Sequence, residues 1–130
     1  MKLLIVDDSP SIRLRISAAL KQATIGATLL EAADAAGAMA VFTKEQPDVV
    51  FLDMMLAQGP GGLTVLKDML GERPDARIVL ITSLPPGHPD MIEAIGLGAV
   101  AHLPKPISND AVRRVLDQLE AEEGRVGRIR

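Results

Sequence analysis

The chain has 130 residues, of which 48% are hydrophobic and 24% charged, with a net charge of −3; that suits one ordinary domain with a real core and excludes a disordered segment. Aromatic residues make up only 2%, too few for the stacking platforms that single-stranded nucleic acid needs, and the lack of cysteine excludes disulfides, thiolate metal sites and thiol nucleophiles. The opening apolar run over 3–6 stops at Asp7 and Asp8, too short for a signal peptide and far from the roughly 20 apolar residues of a membrane span, so a soluble, cytoplasmic protein is expected.

In chain order, a strand over 3–6 leads through Asp7 and Asp8 into a helix over 10–22. Ser9 is its N-cap and Pro10 its first residue, where a missing N–H costs nothing. A second strand over 28–32 precedes a helix over 35–45 that Asp34 can cap. The third strand, 49–53, and the fourth, 77–82, are the most apolar runs and end in Asp53 and Thr82. Between them a glycine-rich loop over 57–62 opens onto a helix over 63–71 with a stripe of Leu63, Leu66, Met69 and Leu70. Pro85, Pro86, Gly87 and Pro89 predict a stiff irregular loop and a short helix over 89–97, with His88 a solvated loop residue. A fifth strand over 99–103 ends just before Lys105 and Pro106. The last helix, 109–123, capped by Ser108 or Asn109, buries Val112, Val115, Leu116 and Leu119 at helical spacing. Residues 124–130, with Arg125, Arg128 and Arg130, read as a solvated tail or the start of a linker.

Short buried strands alternating with amphipathic helices specify an α/β fold, a parallel five-stranded sheet with helices on both faces. Ligands of such sheets bind beyond the carboxyl ends of the strands, and that edge collects Asp7, Asp8, Asp53, Thr82 and Lys105. Two carboxylates about 4 Å apart repel by on the order of 4 kcal/mol at an effective dielectric near 20, so something positive must be held among them. An oxygen-only set without His or Cys suits Mg²⁺, and Lys105 supplies a second positive charge. Phosphoryl transfer needs positioning and charge neutralisation more than covalent help. Asp53 is then the nucleophile, Asp8 and Asp53 hold the metal with Asp7 close by or acting through water, and Thr82 hydrogen-bonds the attached group.

Asp7-Asp8 after the first strand, Asp53 after the third, Thr82-Ser83 after the fourth and Lys105-Pro106 after the fifth resemble the receiver domains of two-component response regulators, of the single-domain, chemotaxis-regulator kind. The resemblance makes residues 1–123 a receiver domain. It implies a flavodoxin-like doubly wound fold with strand order 2-1-3-4-5 and five helices, and a cis peptide before Pro106 that aims Lys105 into the pocket. Asp53 is implied to be phosphorylated by a histidine kinase or histidine phosphotransfer protein, with Mg²⁺ on Asp7, Asp8, Asp53 and the backbone carbonyl of Met55. Thr82 then moves inward, a side chain of the fifth strand fills the vacated space, and the face formed by the fourth helix, fifth strand and fifth helix changes its binding to a downstream protein; a phosphorylation-dependent dimer is left open. Such a domain contacts neither nucleic acid nor membrane and is no turnover enzyme.

Three departures from that family stand out. His102 occupies the usual place of Tyr or Phe, and its charge change near pH of about 6.5 points to a pH-sensitive or weaker switch. The segment over 54–63 lacks the common proline four residues beyond the aspartate and has one extra residue before the helix. Met55 and Leu84, each two residues beyond Asp53 and Thr82, are apolar and cannot orient an attacking water, so slow self-dephosphorylation is expected. Two other readings stay open. One is the same domain cut from a longer transcriptional regulator or hybrid kinase. The other is a Mg²⁺-dependent phosphatase of haloacid-dehalogenase type, which usually has Asp-x-Asp where this chain has Asp7-Asp8; a nucleotide or flavin carrier lacks its phosphate cradle here.

Overall fold

Five stretches too short for independent helices form the strands β1 (Lys2–Val6), β2 (Thr28–Ala32), β3 (Val49–Asp53), β4 (Arg77–Thr82) and β5 (Ala101–Pro104). They alternate with α1 (Pro10–Ala23), α2 (Ala35–Glu45), α3 (Gly62–Glu72), α4 (Pro89–Leu97) and α5 (Asn109–Ile129). The computed structural model describes residues 1–56 and 61–129, with side chains as far as Glu122. All strand pairs are parallel, and the order β2-β1-β3-β4-β5 is the flavodoxin-like topology that the family resemblance implies.

The sheet is buried on both faces, which is why its central strands read as unbroken apolar runs instead of alternating ones. Leu4, Val6, Val50, Leu52, Ile78 and Leu80 pack toward α2, α3 and α4. Leu3, Ile5, Val49, Phe51, Val79 and Ile81 pack the other way, against α1 and α5. Helix starts follow local chemistry: Ser9 accepts from the Ile12 N–H and Asp34 from the Gly37 N–H, each supplying an acceptor to an otherwise orphaned first-turn donor.

Three expectations change. His88 is no solvated loop residue but the N-cap of α4, its Nδ1 accepting from the Asp90 N–H at 3.1 Å. Strand β5 begins at Ala101 because Gly98, at φ 124°, turns the chain and the Ala99 N–H bonds back to the Ala94 carbonyl. Helix α5 continues through Ile129 instead of ending at residue 123; its two interior glycines, Gly124 and Gly127, each cost a helix about 1 kcal/mol, which does not by itself stop it. Of the glycine-rich loop, residues 57–60 lie outside the described residues, as do Arg130 and the side chains of Arg125 and Arg128, so the readings placed on them are neither met nor missed.

The close of that loop is fixed all the same. The Gly62 N–H donates to the Met54 carbonyl at 3.2 Å, and a Cβ on Gly62 would collide with the Asp53 carbonyl oxygen and lie 2.5 Å from the Met54 Cα. Helix α3 thus rests directly on the end of β3. Gly62→Ala should cost about 1–3 kcal/mol through this overpacking, read as a lower urea midpoint; an unchanged midpoint would mean that α3 withdraws from β3 freely.

Candidate functional site

Because every strand runs the same way, the five carboxyl ends meet at one edge, and three polar side chains are buried there. Asp7 follows β1 and is 0% exposed; Asp53 ends β3 at 1% and Thr82 ends β4 at 1%. One device holds all three. Asp7 Oδ1 accepts from the Ser9 N–H, Asp53 Oδ1 from the Met55 N–H, and Thr82 Oγ1 from the Leu84 N–H, each at 2.9 Å. A backbone donor two residues on fixes one oxygen, and in the two aspartates it leaves the other directed at the pocket.

Lys105 meets those second oxygens. Its Nζ lies 3.5 Å from Asp7 Oδ2 and 3.4 Å from Asp53 Oδ2. Its own N–H donates to the Thr82 carbonyl at 3.0 Å, and the Lys105–Pro106 peptide is cis. Asp8 stands exposed at the rim, yet Asp7, Asp8 and Asp53 each offer a carboxylate oxygen within 4.8 Å of the others. Met55, two residues beyond Asp53, is 59% exposed and does not pack in the core as Met54 does. His102 is exposed on β5, in register with Leu80, and lines a cavity of about 330 Å³ with Ile95, Val100 and Gln118; it does not reach into the acidic pocket.

One ammonium faces three carboxylates, and the deficit shows at Asp7. Burial pushes its carboxyl above the ordinary range; the Ser9 N–H bond counters this, Asp53 adds to it, Lys105 counters and Asp8 adds. Asp7 Oδ2 accepts no hydrogen bond from the described residues, having only the ion-pair contact with Lys105. A buried carboxylate oxygen left so is costly. With no nitrogen or sulfur ligand beside it, the donor set is one of hard oxygens, and it fits Mg²⁺.

Two residues without any signal in the sequence also reach the site's loops: Arg13 donates to the Asp7 carbonyl and Arg15 to the Ile107 carbonyl. Acceptance by a backbone carbonyl leaves no mark on residue type.

Residues 3–117 match the family described as the response regulator receiver domain. The chain belongs to that family. It is 36% identical over 113 residues to sporulation initiation phosphotransferase F of Bacillus subtilis, covering 86% of this chain and 87% of that one. The crystal structure of NtrX from Brucella abortus superposes with a TM-score of 0.85 at 26% identity, over 99% of this chain and 29% of that chain. Vibrio cholerae chemotaxis protein CheY4 gives 0.76 at 28% identity, over 90% and 96%. The chain spans only 28% to 45% of seven further curated relatives. As a two-component receiver domain it is a signalling switch, and receiver domains take phosphoryl groups from histidine kinases or phosphotransfer proteins and bind Mg²⁺ at an Asp cluster. Among the described residues no helix is long and apolar enough to cross a membrane.

The raised Asp7 value fixes the sign of a pH dependence. A carboxyl that holds its proton more tightly when folded disfavours the folded state above that raised value, and the cost vanishes below its ordinary value of 3.8. Asp7→Asn should therefore raise the metal-free melting midpoint at pH 7 by a few degrees, with the gain shrinking as pH falls toward 4. Thermal unfolding across that range checks it; a variant less stable at pH 7 would show that Lys105 outweighs burial.

Proposed function

We propose that Asp53 is the phosphoacceptor and that Asp7, Asp8, Asp53, Thr82 and Lys105 form the pocket of a reversible phosphoryl switch. The observation that carries this is the placement of Asp53: buried at the end of β3, one oxygen pinned by the Met55 N–H and the other turned toward Lys105. A carboxylate so held is an oriented nucleophile beside a fixed positive charge. Its oxygen forms a bond to phosphorus as the phosphorus–nitrogen bond of a donor phosphohistidine breaks, and the imidazole leaves.

Asp7, Asp8, Asp53 and the Met55 backbone carbonyl would hold Mg²⁺, which when bound supplies neutralising charge to the phosphoryl oxygens. Lys105 neutralises from the β5 side. The Thr82 hydroxyl accepts from the Leu84 N–H and keeps its own proton to donate to the new group. Its approach to Asp53 gives up the Leu84 bond and so releases the β4–α4 loop. Leu84, half-buried against the α3 and α4 side of the core, carries that change toward the face of α4, β5 and α5, where a downstream protein binds. His102 on that face, smaller than the usual Tyr or Phe ring, makes coupling weaker. The receiver unit spans residues 1–123, with α5 running on through Ile129 into a tail or linker over 124–130, and works in the cytoplasm with a histidine kinase or phosphotransfer protein as donor.

Acetyl phosphate with Mg²⁺ should add one phosphoryl group by intact mass, none without the metal and none to Asp53→Asn. Continuous phosphate release instead would support an aspartate phosphatase. With Met55 exposed and apolar two residues beyond Asp53 and Leu84 apolar two residues beyond Thr82, neither side chain can orient water. The phosphorylated form should persist for minutes or longer after removal of the donor; loss within seconds would contradict that reading of the two positions.

A further inference from the structure

The two charged poles of the pocket sit on separate loops, and both loops are tied to the same helix. The β1–α1 turn carries Asp7 and Asp8. Arg13, one turn into α1, sends Nη1 back to the Asp7 carbonyl at 2.6 Å while its Nε meets Glu31 Oε1 on β2 at 3.1 Å. The β5–α5 turn carries Lys105. Arg15, two residues further along α1, sends Nε to the Ile107 carbonyl at 2.6 Å, across a separation of 92 residues.

The acceptors matter more than the bonds. The Asp7 carbonyl belongs to the planar peptide joining Asp7 to Asp8, so its direction sets how the two carboxylates stand to each other. Like charges favour a rotation that parts them, and a charge-assisted hydrogen bond opposes it. The guanidinium can do this because its fork places separate donors on the carbonyl and on Glu31 at once, which a lysine ammonium on a flexible stem does not reproduce. The Ile107 carbonyl lies two residues beyond Lys105 and holds the turn from which the ammonium reaches Asp7 and Asp53.

From this geometry we infer that Arg13 and Arg15 are positioning residues, Arg13 setting the metal-holding convergence of Asp7 and Asp8, and Arg15 setting the reach of Lys105 toward Asp53. Neither touches the reacting atoms. The inference rests on the reading of the pocket given above, and the experiment keeps the two apart.

In the full chain, Mg²⁺ affinity is measured by isothermal titration calorimetry, and phosphorylation by acetyl phosphate at saturating Mg²⁺ by intact mass against time. Arg13→Ala should weaken Mg²⁺ binding by on the order of tenfold, as loss of an outer-shell partner does, with Arg13→Lys recovering only part of it and the rate at saturating metal near wild type. Arg15→Ala should leave Mg²⁺ affinity within about twofold and slow phosphorylation by roughly tenfold, the scale of a small misplacement of a group in the pocket. A general loosening of the fold would move both readouts together in both variants. That result, or no change in either variant, overturns the inference while leaving the pocket reading intact. Wild type that binds no Mg²⁺ and gains no phosphoryl group overturns both.

Discussion

The structure turns on an unbalanced burial of charge. Asp7 and Asp53 are almost wholly withdrawn from water and share one ammonium at 3.5 and 3.4 Å, with Asp8 close enough to add its own repulsion. Buried ion pairs roughly break even at best, and this one is outnumbered. The fold carries the cost in its central strands: β1, β3 and β4 bury nearly every side chain, on two faces at once. A cation held among the carboxylates would offset that deficit, and the oxygen-only donor set suits a hard one.

Three oxygens are pinned by a backbone N–H two residues on, but the three bonds differ in strength. Those accepted by Asp7 and Asp53 are charge-assisted and about twice as strong as the neutral one accepted by Thr82, which is worth about 1 kcal/mol net. Preorganisation is therefore firm at the two carboxylates and weak at the hydroxyl. In the switch proposed here, the side chain that must move is the one held least.

The parallel sheet and the gathering of polar residues at its carboxyl edge were legible in the sequence because both follow from position along strands, whereas the strand order came only with the family resemblance. Apolar runs of strand length, separated by helical periods, allow few topologies, and polar residues closing such runs must emerge on one edge. Helices α2 and α4 were placed correctly at their starts because Asp34 and Pro89 mark them; at their closes the structure shows Gln46 in left-handed geometry and Gly98 at positive φ. Helix α5 was cut short because Gly124 is too weak a stop, and β5 was begun early because residues 99 and 100, though apolar, serve the exit from α4. His88 escaped notice as a cap because imidazole is an uncommon capping acceptor. Arg13 and Arg15 escaped because a carbonyl acceptor belongs to every residue.

The placement of these ties divides the carboxyl edge into parts that hold and a part that gives. The β1–α1 and β5–α5 turns, bearing the opposed charges, are each bonded to an arginine of α1. The β4–α4 loop has no such bond to α1 among the described residues; it is stiffened from within by Pro85 and Pro86 and by the His88 N–H on the Pro85 carbonyl. In the proposed switch, a loop stiff in itself and pinned to the pocket by the Thr82–Leu84 bond would move as a body when that bond breaks. A receiver must keep its phosphoryl pocket assembled in both states while altering a distant face, and fixed poles with a movable wall between them meet both demands without rearrangement of the charged groups.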